Sequence, residues 1–129
     1  MATPFRTTRQ SYLILLALAG QERQHGYAVI KLVSDLSDGE VTLGAGTLYG
    51  NIDRLLDAGL VETAGEEVVG GRQRRYYRAT AEGAALALEE TQRLAALAAR
   101  AETILGARPV TTPVARPWTG AAGPALGSL

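Results

Sequence analysis

The architecture turns on the segment Thr47-Leu48-Tyr49-Gly50-Asn51-Ile52-Asp53-Arg54-Leu55-Leu56-Asp57-Ala58-Gly59. Leu48, Ile52, Leu55 and Leu56 recur at i, i+4, i+7 and i+8, the spacing that collects apolar side chains on one face of a helix. Thr47 offers an oxygen suited to an N-cap, and Gly59 is the residue type that ends helices in the left-handed conformation. The segments on either side of this helix then fix the fold.

Upstream, Thr8 to Ala19 places Tyr12, Leu15, Leu16 and Ala19 at helical spacing, and Gly20 closes the run. A polar link from Gln21 to Gln24 leads to a second helix over about Gly26–Leu36, with Tyr27, Ile30, Val33 and Leu36 inward and Ser37-Asp38-Gly39 as its stop. Val41 to Gly46 is short and glycine-rich, and is read as a connection. Downstream, Leu60 to Ala64 and Arg74 to Ala79 are read as two strands of a hairpin. Gly65, Gly70 and Gly71 between them supply a long loop with a mobile tip.

Thr80 then caps a fourth helix that carries Glu82 in its first turn, favourably placed against the helix dipole, and runs to about Leu105. Such a helix is roughly 37 Å long, more than the preceding eighty residues can cover. Leu94, Leu97, Ala101 and Ile104 follow the 3-4-3 spacing of a packing seam, which implies a partner, most simply a second copy of the chain. Residues 106–129 hold four of the five prolines and no periodicity, so they read as a disordered tail. Trp118 within it is either a weakly collapsed aromatic or a latch onto the body.

Composition closes off much chemistry. The 129 residues carry 13 basic and 13 acidic side chains, so any pull toward a polyanion must come from charge placement. With no cysteine and a single histidine, a disulfide framework, a thiolate nucleophile and a zinc site of the usual ligands are excluded, and no metal or cofactor is expected. Glu66-Glu67 and Glu89-Glu90 do not converge as paired carboxylates, and no glycine-rich phosphate cradle is present. The longest apolar run, Tyr12 to Gly20, is about half a membrane span and no secretory signature opens the chain, so the expected location is cytoplasmic, with no membrane partner.

Helix, helix, helix and hairpin is the order of a winged helix-turn-helix, whose third helix enters the DNA major groove while the wing flanks it. The expected fold is therefore mainly α with a small two-stranded β wing, plus a long C-terminal dimerisation helix. Arg72, Arg74, Arg75 and Arg78 fall within seven positions that contain no acid, a local +4 suited to phosphates. Strand alternation puts Arg75 and Tyr77 on one face and Tyr76 and Arg78 on the other, so one tyrosine is core and one is surface, and Tyr77 joins the four arginines as a candidate DNA contact. On the third helix Thr47, Tyr49, Gly50, Asn51 and Arg54 fall outward or on the flank. Thr47 and Tyr49 offer hydroxyls to phosphates, Asn51 an amide to adenine or phosphate, and Arg54 a guanidinium to the backbone. Tyr49 has the alternative of packing on the wing, and His25 either caps the second helix or meets a phosphate.

Three motifs in order, His25-Gly26-Tyr27, Gly46-Thr47-Leu48-Tyr49 continuing to Ala58-Gly59-Leu60-Val61, and Gly71-Arg72-Gln73-Arg74-Arg75-Tyr76-Tyr77-Arg78, resemble the PadR-like family of bacterial transcriptional regulators over roughly Ser11 to Gly83. The resemblance implies a homodimeric repressor on double-stranded DNA, released when a small-molecule effector binds, with Tyr49 and the wing arginines at the DNA surface. A single C-terminal helix implies the smaller subgroup of the family, in which the first helix, through Tyr12, also contributes to the dimer. Gln73 and Ala79 depart from the common proline and leucine, which affects wing stiffness and packing. The expected organisation is a DNA-binding domain over 1–79, a dimerisation helix over 80–105 and the tail. The rival reading is a winged-helix module that docks proteins, which the neutral total charge and Asp53 and Asp57 favour.

Overall fold

A computed structural model describes residues 5–20 and 22–106, so the tail expected after Gly106, with Trp118, lies outside the described residues. The element order is α1 (Arg9–Leu18), β1 (Gln24–His25), α2 (Gly26–Leu36), α3 (Ala45–Asp57), β2 (Val61–Val69), β3 (Arg72–Ala79) and α4 (Ala81–Leu105).

Each helix starts or stops for a local reason. Thr8 and Ser11 form a capping box at α1: the Ser11 amide donates to Thr8 Oγ1 at 3.1 Å and the Thr8 amide to Ser11 Oγ at 2.8 Å, which satisfies a fully buried serine. At the end of α3, the Gly59 amide donates to the Leu56 carbonyl at 3.0 Å and the Leu60 amide to that of Leu55 at 2.9 Å. With Gly59 at φ +76° this is a Schellman motif, and buried Leu60 is its apolar lock. Thr80 caps α4 by accepting the Gly83 amide, and Gly106 ends it in the left-handed region.

Three sequence expectations are corrected. First, α3 begins at Ala45 with Gly44 as N-cap, three residues before the expected Thr47 cap. Buried Leu43 and Leu48 anchor that first turn, so tertiary burial outweighs the poor helix propensity of Gly46. Second, the inward face of α2 is Val29, Leu32 and Val33, with the expected Ile30 and Leu36 partly buried against the core, while Tyr27 is 79% exposed. Gly26 is buried beneath Tyr49, and the next residue, about 100° further round the helix, must face out.

Third, the sheet has three antiparallel strands in the order β1-β3-β2, where a two-stranded wing was expected. Gln24 pairs with Tyr77 and His25 with Tyr76, a register that two isolated residues cannot advertise. The wing itself is longer and tighter than a loop. β2 and β3 run to a two-residue turn at Gly70-Gly71, where φ is +59° and +78°, the signs a type I′ hairpin requires. Gly65 is a bulge inside β2, at φ +102°, where the register slips between Thr63 and Glu66.

The core joins Ile14, Leu15 and Leu18 of α1, Val29, Leu32 and Val33 of α2, and Leu48, Ile52 and Leu55 of α3, closed by Val61, Tyr77 and Ala87. α4 docks through Gly83, Leu86 and Ala87. A Cβ at Gly83 would lie 2.0 Å from the Leu60 carbonyl oxygen, so only glycine admits this crossing. Past Thr91 every residue of α4 is exposed except Ala101, which is half-buried. No helix among the described residues is long and apolar enough to cross a membrane.

Candidate nucleic-acid interface

The fold gathers three pieces of backbone at one place: the start of α2, the first turns of α3, and the outer half of the wing. Between them lies a cleft of about 260 Å³ bordered by His25, Tyr27, Tyr49, Arg72, Arg74 and Arg75. Tyr49 forms the floor. Its hydroxyl sits so near Gly26 that a Cβ there would fall 2.2 Å from it, yet the residue remains 43% exposed. Both readings of Tyr49 therefore meet in one geometry, since the ring rests on the scaffold and keeps an open edge.

The wing arginines do not act as four free charges. Opposite β3 stands a strand with three glutamates, and the register brings Glu66 across from Arg75 and Glu67 across from Arg74. Arg78 bonds Glu62 at 2.8 Å and Arg75 lies 3.7 Å from Glu66. Gln73 donates to Glu66 and Tyr76 to Glu67. Among the described residues Arg72 and Arg74 form no ion pair, and both border the cleft. The sequence cluster of +4 thus reduces to two available guanidiniums.

His25 occupies the N-cap position of α2, but its side chain makes no cap bond. Its ring instead meets Tyr76 edge-on, with centroids 5.7 Å apart at 88°. Partial burial, and secondarily the Arg74 guanidinium, hold its pKa below the ordinary imidazole value. Arg23, to which no local pattern in the sequence points, lies 4.1 Å above the Tyr76 ring and donates to the Ala64 carbonyl at 2.9 Å. The signal that would have found it is the pairing of β1 with β3, which is not local in sequence.

Two expected site residues are corrected. Tyr77 is 5% exposed and belongs to the core, where burial raises its phenol pKa, so it is the core member of the Tyr76/Tyr77 alternation. Asn51 is 6% exposed: its Nδ2 donates to the Thr47 carbonyl at 2.9 Å and its Oδ1 accepts from Arg54 Nη2 at 2.8 Å. Being three residues after Leu48 and four before Leu55, it sits on the inward flank of α3 and presents no edge to a groove. Thr47, Gly50 and Arg54 are exposed, as are Asp53 and Asp57.

The seam expected on α4 stands open. Leu94 is 43%, Leu97 58% and Ile104 81% exposed, and with Ala101 they continue the same helix face that carries Gly83, Leu86 and Ala87 against the body. Tyr12 meets α4 one turn before the open seam begins: its hydroxyl bonds Thr91 Oγ1 at 2.7 Å and braces α4 where it leaves α1.

Comparison with known proteins gives this geometry a relative. The model of the transcriptional regulator PadR-like family matches residues 15–89. A PadR family transcription regulator from Clostridium difficile R20291 superposes with a TM-score of 0.63 at 23% identity, over 76% of this chain and 99% of that one. A PadR family transcriptional regulator from Eggerthella lenta DSM 2243 is 30% identical with a TM-score of 0.60, over 74% of this chain and 80% of that one. No curated protein matches.

Proposed function

The chain belongs to the transcriptional regulator PadR-like family, and from that premise we propose that it acts in the cytoplasm as a homodimeric repressor on a palindromic stretch of double-stranded DNA. The observation that carries this reading is the cleft in which Tyr49 and the two wing arginines outside the ion pairs, Arg72 and Arg74, border one opening beside α3. In this reading α3 enters the major groove. The open edge of Tyr49, with Thr47 and Arg54, meets it and its backbone, and the wing holds the neighbouring phosphates. His25 stands at the back of the cleft within reach of the same strand, while Arg75 and Arg78 shape the wing through their glutamates.

Residues 1–79 form the DNA-binding unit, and 80–105 the dimerisation helix. The seam supports the second part: a face that is apolar where it packs on α1 stays apolar for four more turns over open solvent. Burying it against a second copy fixes the distance between two α3 helices, and hence the spacing of half-sites near one helical turn, about 34 Å. A small-molecule effector that shifts that distance would release the DNA.

Selection of genomic fragments by the purified protein at two salt concentrations tests the proposal. One inverted repeat is expected, lost in the Arg72→Ala, Arg74→Ala variant. Recovery of no enriched sequence, with or without candidate effectors, would favour the docking-module reading, whose support is the exposed pair Asp53 and Asp57 on the outer face of α3.

A further inference from the structure

We infer that Asn51 is a positioning residue, which together with Phe5 holds Arg54 ready to grip a DNA phosphate on the side of α3 opposite the wing. The inference rests on the DNA-binding reading above and adds a second strand contact to it.

A buried amide in the inward flank of a helix is an anomaly to be explained. An apolar side chain at position 51 would extend the stripe of Leu48, Ile52 and Leu55, and a buried amide is tolerated only where its polar atoms are bonded. Here both are. Nδ2 turns back to the Thr47 carbonyl, one turn earlier in the same helix, and this fixes the amide plane. That leaves Oδ1 aimed outward, where it takes the Arg54 Nη2 hydrogen at 2.8 Å. The guanidinium is bounded on its other side by the ring of Phe5, whose centroid lies 5.8 Å from Arg54 Cζ. Phe5 is itself packed on the core, so the residues before α1 act as a wall for this side chain.

The placement is directional. Tyr49 and Arg54 are five residues apart, so they lie about 140° from each other around α3, while Thr47 falls within about 20° of Arg54. Tyr49 is on the flank that meets the wing. Arg54 and Thr47 are therefore on the far flank, and between the two flanks stand Gly46 and Gly50, with no neighbour within 4 Å of where a Cβ would be, followed toward the C-terminal end of the helix by the exposed Asp53 and Asp57. A helix so shaped enters a groove with a donor on each shoulder, one for each strand. An arginine free to wander would lose rotamer entropy on gripping a phosphate; one already held by Oδ1 and a ring face loses less.

The test reads the salt dependence of binding, because each phosphate contact adds about −0.9 to the slope of log affinity against log salt. A fluorescein-labelled random-sequence duplex is titrated with the full chain, its Asn51→Leu, Phe5→Leu and Arg54→Ala variants, and the Asn51→Leu, Arg54→Ala double variant. Arg54→Ala is expected to shallow the slope by about 0.9, Asn51→Leu to reproduce most of that loss in the same direction, and the double variant to be no worse than Arg54→Ala. Phe5→Leu, which keeps apolar bulk and removes the ring face, is expected to act like a weaker Asn51→Leu. In the absence of DNA, the Arg54 Nη–H resonances of the native chain are expected to be resolved and shifted, and to collapse to the averaged free-arginine position in Asn51→Leu.

A full slope in Asn51→Leu beside a reduced one in Arg54→Ala overturns the positioning role, as do strictly additive effects. An unchanged slope in Arg54→Ala, with a reduced one in Arg72→Ala, overturns the phosphate contact while the DNA-binding reading stands. Absence of duplex binding by the native chain overturns both.

Discussion

Replacing Gly26 by alanine is expected to evict Tyr49 from the cleft and leave the fold standing. The new Cβ would lie 2.2 Å from Tyr49 Oη and 2.9 Å from Cζ, whereas its third neighbour, Leu48 Cδ2, stays at an ordinary 3.4 Å. The obstruction is thus the far end of a side chain that is already 43% exposed and has water to move into. Losing about 50 Å² of ring contact costs about 1.2 kcal/mol at about 25 cal/mol per Å². Alanine in helical backbone returns roughly 0.5–1 kcal/mol relative to glycine. The net is under about 1 kcal/mol, a Tm change of a few degrees. DNA binding should fall about tenfold, the worth of one hydroxyl contact of about 1.4 kcal/mol, and Tyr49→Phe should match it. The control is Gly83→Ala, whose Cβ would meet the Leu60 carbonyl oxygen at 2.0 Å and its carbon at 3.0 Å. Backbone cannot step aside, so α4 must lift, at a cost of about 3 kcal/mol. Thermal melts and fluorescence anisotropy on the selected operator separate the two. Native affinity in Gly26→Ala, or a melt as low as that of Gly83→Ala, would refute the reasoning.

Arg72→Ala with Arg74→Ala should shallow the log-log salt slope by about 1.8, while Arg78→Ala, whose charge is matched by Glu62, should leave the slope nearly unchanged; anisotropy titrations at several salt concentrations measure both. Because the folded His25 pKa is depressed, the unfolded chain binds the proton first, so this residue lowers stability as pH falls through about 6.5 and contributes no pH dependence well above it; urea melts across that range should lose this component in His25→Gln. Leu97→Glu should abolish the proposed dimer in sedimentation at micromolar concentration yet shift the monomer's melt little, since Leu97 is 58% exposed.

The helices were legible because their signals are local. The stripe of Leu48, Ile52 and Leu55, the Gly59 stop, the Thr80 cap and the full length of α4 all appear where spacing and cap chemistry put them. What escaped depends on partners distant in sequence. β1 exists only because β3 lies beside it, and Arg23 enters the site only through that pairing. The orientation of α2 is set by Gly26 beneath Tyr49, so the buried stripe is Val29, Leu32 and Val33, with Ile30 and Leu36 partly buried beside it, and of the expected inward set Tyr27 alone faces out. Asn51 illustrates the hardest case. Its residue type suggests a base contact, and only its burial and two bonds reveal that it serves its own helix.

The wing shows why charge counted along a sequence misleads about charge felt in space. β3 read alone carries four arginines and no acid, but an antiparallel partner returns Glu62, Glu66 and Glu67 to the same few ångströms. Ion pairs this exposed add little to stability, typically under about 1 kcal/mol each. Their consequence is electrostatic: they engage two of the arginines with carboxylates and leave Arg72 and Arg74 outside any ion pair among the described residues. Non-specific affinity for DNA grows with every phosphate neutralised, whatever the sequence. On the proposed reading, a wing that pairs two of its four arginines therefore gives up general attraction to any duplex and keeps contacts that count only when α3 is seated. For a chain with no net charge, discrimination between sites would then rest on that seating more than on attraction from a distance.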